Sequence, residues 1–158
     1  MARKTAIEKL VEVFPEDPET LTILKSSAQS DQDYSVRRTA TEKLVEVFPE
    51  DQETLTILKS SAQSDEYYFV RTTAIKKLAE GWSDRPDTFN ILKDCALKDP
   101  FKRRSTWETN PRQTALEAII KYYANHPQTI PLLENRAKHE TDEKVREFAQ
   151  QQLEKLLK

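Results

Sequence analysis

The sequence predicts an all-α fold made of repeated helix pairs, with about nine helices. Residues 3–36 and 37–70 align without a gap and differ at only six of 34 positions. Within both copies, apolar residues recur at spacings of three and four, as on one face of an α-helix. Units of this kind stack into a solenoid, because a single helix pair cannot bury its apolar face alone.

The repeat continues beyond the second copy. A third copy begins at Arg71 and a fourth at Arg112, 41 residues later instead of 34. The seven extra residues fall between Asp99 and Arg112. The predicted units of a single array over residues 1–158 are 3–36, 37–70, 71–111 with an insertion near 102–108, 112–145, and a closing helix at 146–158.

The first helix of each pair is predicted to begin near Pro18 and to end near Ser30. Proline suits the first helical position, because its missing N–H has no partner there. Pro86 and Pro127 occupy the matching position in later copies, and we expect helices to begin there too. Asp17, just before Pro18, is a suitable N-cap.

The second helix of each pair carries Val36 and Arg37 near its start and Phe48 at its end. Pro49 stops this helix, because proline disfavours a helical conformation in the residue before it. In the third copy we expect residues 81–84, Gly-Trp-Ser-Asp, to form the stop, and they include the only glycine of the chain. We interpret the terminal aromatic as packing between repeats, since aromatic stripes at this spacing are usually core.

The amino-acid composition argues against several classes of function. The chain has 25 Lys and Arg against 27 Asp and Glu, a formal charge of −2, so no overall basic excess favours nucleic acid or an anionic membrane. No apolar run approaches the roughly 20 residues that span a bilayer, and residues 1–10 lack the apolar segment of a secretion signal. Cys95 is the only cysteine, and its counterparts in other copies are polar, so we expect it to be partly exposed. These features favour a cytoplasmic protein with no membrane contact.

The spacing of Asp31, Val36, Arg37 and Ala40, repeated from Asp65 to Ala74, resembles the HEAT-like repeat family. The short period is similar to that of bacterial members such as bilin-lyase subunits and NTPase-associated arrays. The resemblance implies a right-handed α-solenoid in which an aspartate and an arginine of neighbouring units form a buried polar ladder. The ladder positions it implies are Asp31, Arg37, Asp65, Arg71, Asp99, Arg112 and Arg146. At the fourth junction the pattern is kept with a substitution, because Glu140 replaces the aspartate before Val145 and Arg146.

Two features weigh against a simple HEAT-like assignment. At the third junction Pro111 replaces the valine and the insertion separates Asp99 from Arg112, which leaves open whether the ladder is interrupted there. A period of 34 is also typical of tetratricopeptide repeats. Those repeats need a small residue where their helices cross, and the single glycine of this chain favours the HEAT-like alternative.

The sequence does not predict an enzyme. Neither His126 nor His139 has a second ligand at metal-binding spacing, and no basic cluster adjoins Cys95 to activate its thiol. A glycine-rich phosphate loop is excluded by the single glycine. We therefore predict no catalytic residue, no metal site and no cofactor.

Candidate partner-binding residues fall on two surfaces. Rows on the second helices alternate in charge, with Arg38, Glu42 and Lys76 as examples. The second surface is the rim at the turns within repeats, where aromatics and arginines, residue types enriched at binding hot spots, collect. Its members are Tyr67 and, in the insertion, Arg103, Arg104 and Trp107. The alternative is that Trp107 folds back as a cover and that the arginines are only solvated.

The leading functional hypothesis is a non-catalytic scaffold, a monomeric array that binds a protein partner and is either complete or a segment of a larger protein. One alternative, which the resemblance suggests, is a nucleic-acid-binding protein of the DNA glycosylase type, although the many glutamates make nucleic acid a poor partner. A second alternative is an accessory subunit of a bilin lyase.

Overall fold

The fold is all-α, as predicted. The computed structural model describes residues 2–158, and Met1 lies outside them. Over this range it contains nine α-helices and no strand. Their bounds are α1 Ala2–Val13, α2 Pro18–Ser30, α3 Tyr34–Val47, α4 Gln52–Ser64, α5 Tyr68–Trp82, α6 Thr88–Lys98, α7 Pro111–Tyr122, α8 Thr129–His139 and α9 Glu143–Leu156. None of these helices has both the length and the apolar composition needed to cross a bilayer.

The chain divides into two compact units, Met1–Leu78 and Ala79–Lys158, with the boundary inside α5. In the first unit, α1 packs on α2 and α3, α2 packs on α3 and α4, and α3 packs on α4. These helices share an apolar core. Its buried members are Ile7, Val11, Leu24, Ala28, Val36, Ala40, Leu44 and Ile57. Each helix thus buries its apolar stripe against the next helix and the next but one.

The second unit packs in the same way. Here α6 contacts α7, α7 contacts α8 and α9, and α8 contacts α9. The buried side chains include Leu116 and Ile119 on α7, Leu133 on α8 and Val145 on α9.

A threonine hydroxyl fixes the turn between successive repeats. Thr54 Oγ1 donates to the carbonyl oxygen of Phe48 at 2.8 Å, and Thr129 Oγ1 donates to that of Tyr123 at 2.6 Å. Thr88 makes the same bond to Trp82 at 2.7 Å. Because the last carbonyls of a helix lack intrahelical partners, this hydroxyl satisfies one of them.

Two predicted helix boundaries are wrong. Helices α6 and α8 begin at Thr88 and Thr129, two residues after Pro86 and Pro127. Asp17 accepts a hydrogen bond from the Glu19 N–H and so caps α2, whereas arginine and histidine precede the two later prolines and supply no carboxylate cap.

The predicted stop at residues 81–84 agrees with the structure, because helix α5 ends at Trp82. Gly81 itself lies within the helix, and no residue of 2–158, glycine included, has a positive φ. Without the left-handed conformation that makes glycine a terminator, Gly81 is an ordinary helical residue. Cys95 was expected to be partly exposed, but it is buried on α6.

The terminal aromatics differ in burial. Trp82 is buried, and Phe48 packs on the core of the first unit. The Tyr123 hydroxyl donates to the Ser83 carbonyl oxygen at 2.7 Å. Phe14, the first of the series, is 54% exposed.

Candidate functional site: the polar ladder and the insertion loop

The turn inside each repeat is organised by one acidic residue. Asp65 is the C-cap of α4, and its backbone N–H donates to the Ser61 carbonyl oxygen. Its Oδ1 accepts the N–H of Tyr67, two residues on, at 2.8 Å. The same bond to the residue two positions on occurs at the other turns, from Asp33 to Asp31, from Phe101 to Asp99 and from Asp142 to Glu140. The acid therefore closes the helix and shapes the turn that follows.

Where the acid and the arginine 28 residues before it lie in the same unit, the arginine binds the carboxylate of the acid. Arg37 Nε and Nη2 donate to Asp65 Oδ2 and Oδ1 at 2.9 and 3.0 Å. Arg3 makes the same fork with Asp31 at 2.9 and 3.1 Å. Paired forks of this geometry are stronger and more specific than a single hydrogen bond.

The third guanidinium nitrogen, Nη1, of the ladder arginines donates to a backbone carbonyl oxygen of the turn that precedes the arginine. Arg37 Nη1 donates to the Asp31 carbonyl oxygen at 2.8 Å, and Arg71 Nη1 donates to that of Asp65 at 2.9 Å. Arg146 Nη1 likewise donates to the Glu140 carbonyl oxygen at 3.0 Å. The Arg37 guanidinium thus ties the turn before α3 to Asp65, the acid of the following turn.

The insertion does not remove Arg112 from this pattern. Its Nη1 donates to the carbonyl oxygens of Asp99 and Phe101 at 2.6 and 3.0 Å. Its Nε and Nη2 bind the Glu140 carboxylate, with a shortest distance of 2.7 Å. Burial alone would raise the pKa of Glu140, but the hydrogen bonds and charge of Arg112 outweigh it and hold the pKa below its usual range. The polar interactions at this junction therefore survive seven extra residues.

One member of this pattern, Arg3, is missing from the predicted ladder positions. It was detectable from the sequence, because Arg3 aligns with Arg37. Glu140, predicted as the acid of the fourth junction, stands 28 residues after Arg112, the same separation as Asp65 after Arg37.

The insertion loop, residues 100–110, is attached to the turn before α9. Arg103 Nε donates to both carboxylate oxygens of Asp142, at 3.2 and 3.0 Å. Asn110 Nδ2 donates to Asp142 Oδ2 at 3.0 Å, and Lys144 Nζ donates to the Thr106 carbonyl oxygen at 2.6 Å. Asp142 also caps α9 through the Lys144 N–H. Burial raises the pKa of Asp142, but the amide of Asn110 and the charge of Arg103 lower it by more.

Inside the loop, Glu108 holds the chain in a tight bend. Its Oε2 accepts the backbone N–H groups of Arg104 and Ser105 at 2.6 and 2.9 Å, and these bonds lower the pKa of the carboxyl group. The Glu108 carbonyl oxygen in turn accepts a hydrogen bond from Arg103. The loop is therefore fixed by its own polar contacts as well as by α9.

A pocket of about 520 Å³ lies between this loop and the start of α9. Phe101 to Thr106 form one wall, and Thr141 to Lys144 form the other, with Arg112 at the base. The Arg103 guanidinium lies 5.9 Å from the centre of the Phe101 ring.

The residues of the predicted rim differ in how far their side chains are exposed to solvent. Trp107 is 71% exposed, so it does not fold back as a cover. The Arg104 side chain is exposed as well. Arg103 is only 18% exposed and bound to Asp142, so its first role is to hold the loop.

The remaining candidates lie in the first unit. Arg38 is bound to Glu42 at 3.0 Å and to Thr73 Oγ1 at 3.0 Å, so its side chain already has partners within the first unit. Lys76 is exposed on α5. Tyr67 stacks on Tyr34, with ring centres 4.0 Å apart.

The other residues considered for chemistry are separated or packed. His126 stacks on Phe89, with ring centres 3.7 Å apart. In residues 2–158, no three His, Cys, Asp or Glu side chains are grouped so that they could hold a metal ion. Comparison of the chain with models of known protein families, with curated proteins and with solved structures found no match.

Proposed function

We propose that the protein is a non-catalytic scaffold, a right-handed α-solenoid of HEAT-like repeats that captures a protein partner in the cytoplasm. The observation that supports this most is Trp107, which is 71% exposed at the tip of a loop whose backbone is held by internal polar contacts. A large exposed aromatic on a fixed support is the usual composition of a binding hot spot.

The fixed loop favours binding for an entropic reason. Ordering a mobile side chain or loop on association costs about 0.5–1.5 kcal/mol for each immobilised side chain. Here Glu108 and Asp142 already order the loop before a partner arrives. More of the contact energy of Trp107 is then available as affinity.

The surroundings of Trp107 indicate the chemistry of the partner. Lys102 and Arg104 are exposed beside it, and the wall opposite carries the exposed side chain of Lys144. An acidic protein surface with an apolar recess would complement this group.

The test is affinity capture from the source cells with the whole chain as bait. We expect Trp107→Ala to lose the partner while its denaturant midpoint stays unchanged, because the side chain supports nothing in the fold. Phe14→Ala, which removes a comparably exposed aromatic from the first unit, is the matched control and should retain the partner. Equal recovery with the wild-type chain and Trp107→Ala would contradict the role of the loop.

A further inference from the structure

One ladder arginine has no acid. Arg146 Nη1 binds the Glu140 carbonyl oxygen in the usual way, but no carboxylate of residues 2–158 lies within ion-pair distance of this guanidinium. Nε and Nη2 of Arg146 are therefore unused, although the side chain is half-buried and held in place by its third nitrogen.

The other repeats indicate which group binds Nε and Nη2 of a ladder arginine. At Arg3, Arg37 and Arg112 the same two nitrogens hold a carboxylate. In each case the acid caps the C-terminus of the next first-type helix, as Asp65 caps α4. The chemistry that fits Arg146 is therefore a carboxylate at the end of a helix.

An apolar surface lies beside the fork. At 100° per residue, Leu153 of α9 and Leu157, the C-cap of this helix, fall on the same arc as Arg146. Leu157 is 64% exposed and Leu153 is half-buried, whereas Ile119, which matches Leu153 in α7, is buried. Helix α7 packs on α6, α8 and α9, while the helices on which α9 packs in residues 2–158 are α7 and α8.

We propose that this face of α9 is a docking site for an amphipathic helix of a partner protein that is capped at its C-terminus by Asp or Glu. The helix packs its apolar stripe on Leu153 and Leu157, and its terminal carboxylate takes Nε and Nη2 of Arg146. The arrangement reproduces the way α4 and Asp65 follow α3 and Arg37. The site is separate from the insertion loop and does not depend on it.

The probe is a synthetic peptide of residues 49–67, which contains α4 and Asp65. A hydrocarbon staple between positions 56 and 60, both exposed in this chain, keeps the peptide helical. Binding to the whole chain is measured by calorimetry. We expect Arg146→Gln in the protein, or Asp65→Asn in the peptide, to weaken binding by about tenfold or more, as for loss of a charge-assisted hydrogen-bonded pair.

The double change should add nothing to the single ones, because each removes the same interaction. Lys155→Gln, which removes an exposed cation from the opposite arc of α9, is the control and should bind like the wild-type chain. Trp107→Ala should also bind normally, which separates this site from the loop.

Three results would overturn the proposal. The first is no binding of the stapled peptide at about 1 mM, the weak end of the measurable affinity range. The second is equal affinity of the wild-type chain and Arg146→Gln. The third is concentration-dependent self-association that Arg146→Gln abolishes, since it would make a second copy of the chain the occupant.

Discussion

The regular turn of the first unit and the inserted turn of the second reach the same contacts by different routes. In the first, Asp31 and Arg37 are six residues apart, and α3 begins three residues before the arginine. In the second, Asp99 and Arg112 are thirteen residues apart, and α7 begins one residue before the arginine. The insertion thus occupies the place of the first residues of the helix.

The two arginines nevertheless bind equivalent groups. Arg37 Nη1 donates to the carbonyl oxygens of Asp31 and Gln32, and Arg112 Nη1 donates to those of Asp99 and Phe101. The polar contacts are therefore set by the arginine and the acids, and the length of chain between them is free to vary. A surface loop can grow at such a point because closing a longer loop costs little extra free energy.

Arg112→Ala should give the largest loss of stability. It leaves the buried Glu140 carboxylate with only the Asp142 N–H, at 3.0 Å, and Arg136, at 3.3 Å, and it removes the Arg112 donor from two buried carbonyl oxygens. We expect the free energy of unfolding to fall by roughly 3–5 kcal/mol, as for a buried ion pair that loses one partner. Urea denaturation followed by circular dichroism measures it, and a neutral result would show that the inserted turn does not depend on this ladder arginine.

Arg37→Ala and Arg71→Ala should have a smaller and mutually similar effect. Both residues are 5% exposed, and Nη1 of each donates to the carbonyl oxygen of the aspartate six residues earlier. We expect each substitution to lower the free energy of unfolding by roughly 1–3 kcal/mol, because a charged hydrogen-bond partner is lost. Denaturant melts of the two variants side by side check this, with Arg38→Ala as a control at the exposed neighbouring position. Two neutral variants would argue against a stabilising ladder.

The repeated part of the fold was predictable because the sequence contains several copies of the same helix-pair pattern. The bounds of α2, Pro18–Ser30, follow from capping chemistry and agree with the structure. The helices α6 and α8 were placed two residues too early, because proline alone was taken as the start signal where no carboxylate cap precedes it.

The contacts of the insertion were not predictable, because they join residues that no periodicity relates. Asp142 lies 39 residues after Arg103, and nothing in a repeat alignment pairs them. Arg103 was grouped with Arg104 and Trp107 as a binding residue because all three are adjacent in sequence. The structure separates them, since Arg103 forms an ion pair with Asp142, whereas the side chains of Arg104 and Trp107 are exposed.

Deletion of residues 102–108 should have the smallest effect on stability. It tests most directly whether the inserted turn is equivalent to the regular turn. It joins Phe101 to Thr109 and restores the six-residue separation between Asp99 and Arg112 found at the regular turns. Asp142 loses Arg103 but keeps the Asn110 amide, so we expect the free energy of unfolding to fall by only about 1 kcal/mol. Partner capture should be lost together with Trp107.

The shortened chain is best compared with a substitution that breaks the same attachment and keeps the loop. Asp142→Asn weakens the contact with Arg103 but leaves Trp107 in place, so it should retain part of the captured partner while the deletion retains none. Urea melts and capture assays on both variants distinguish a loop kept for binding from one kept for folding. If the shortened chain fails to fold, the seven residues form part of the structural framework, and the equivalence of the two turns does not hold.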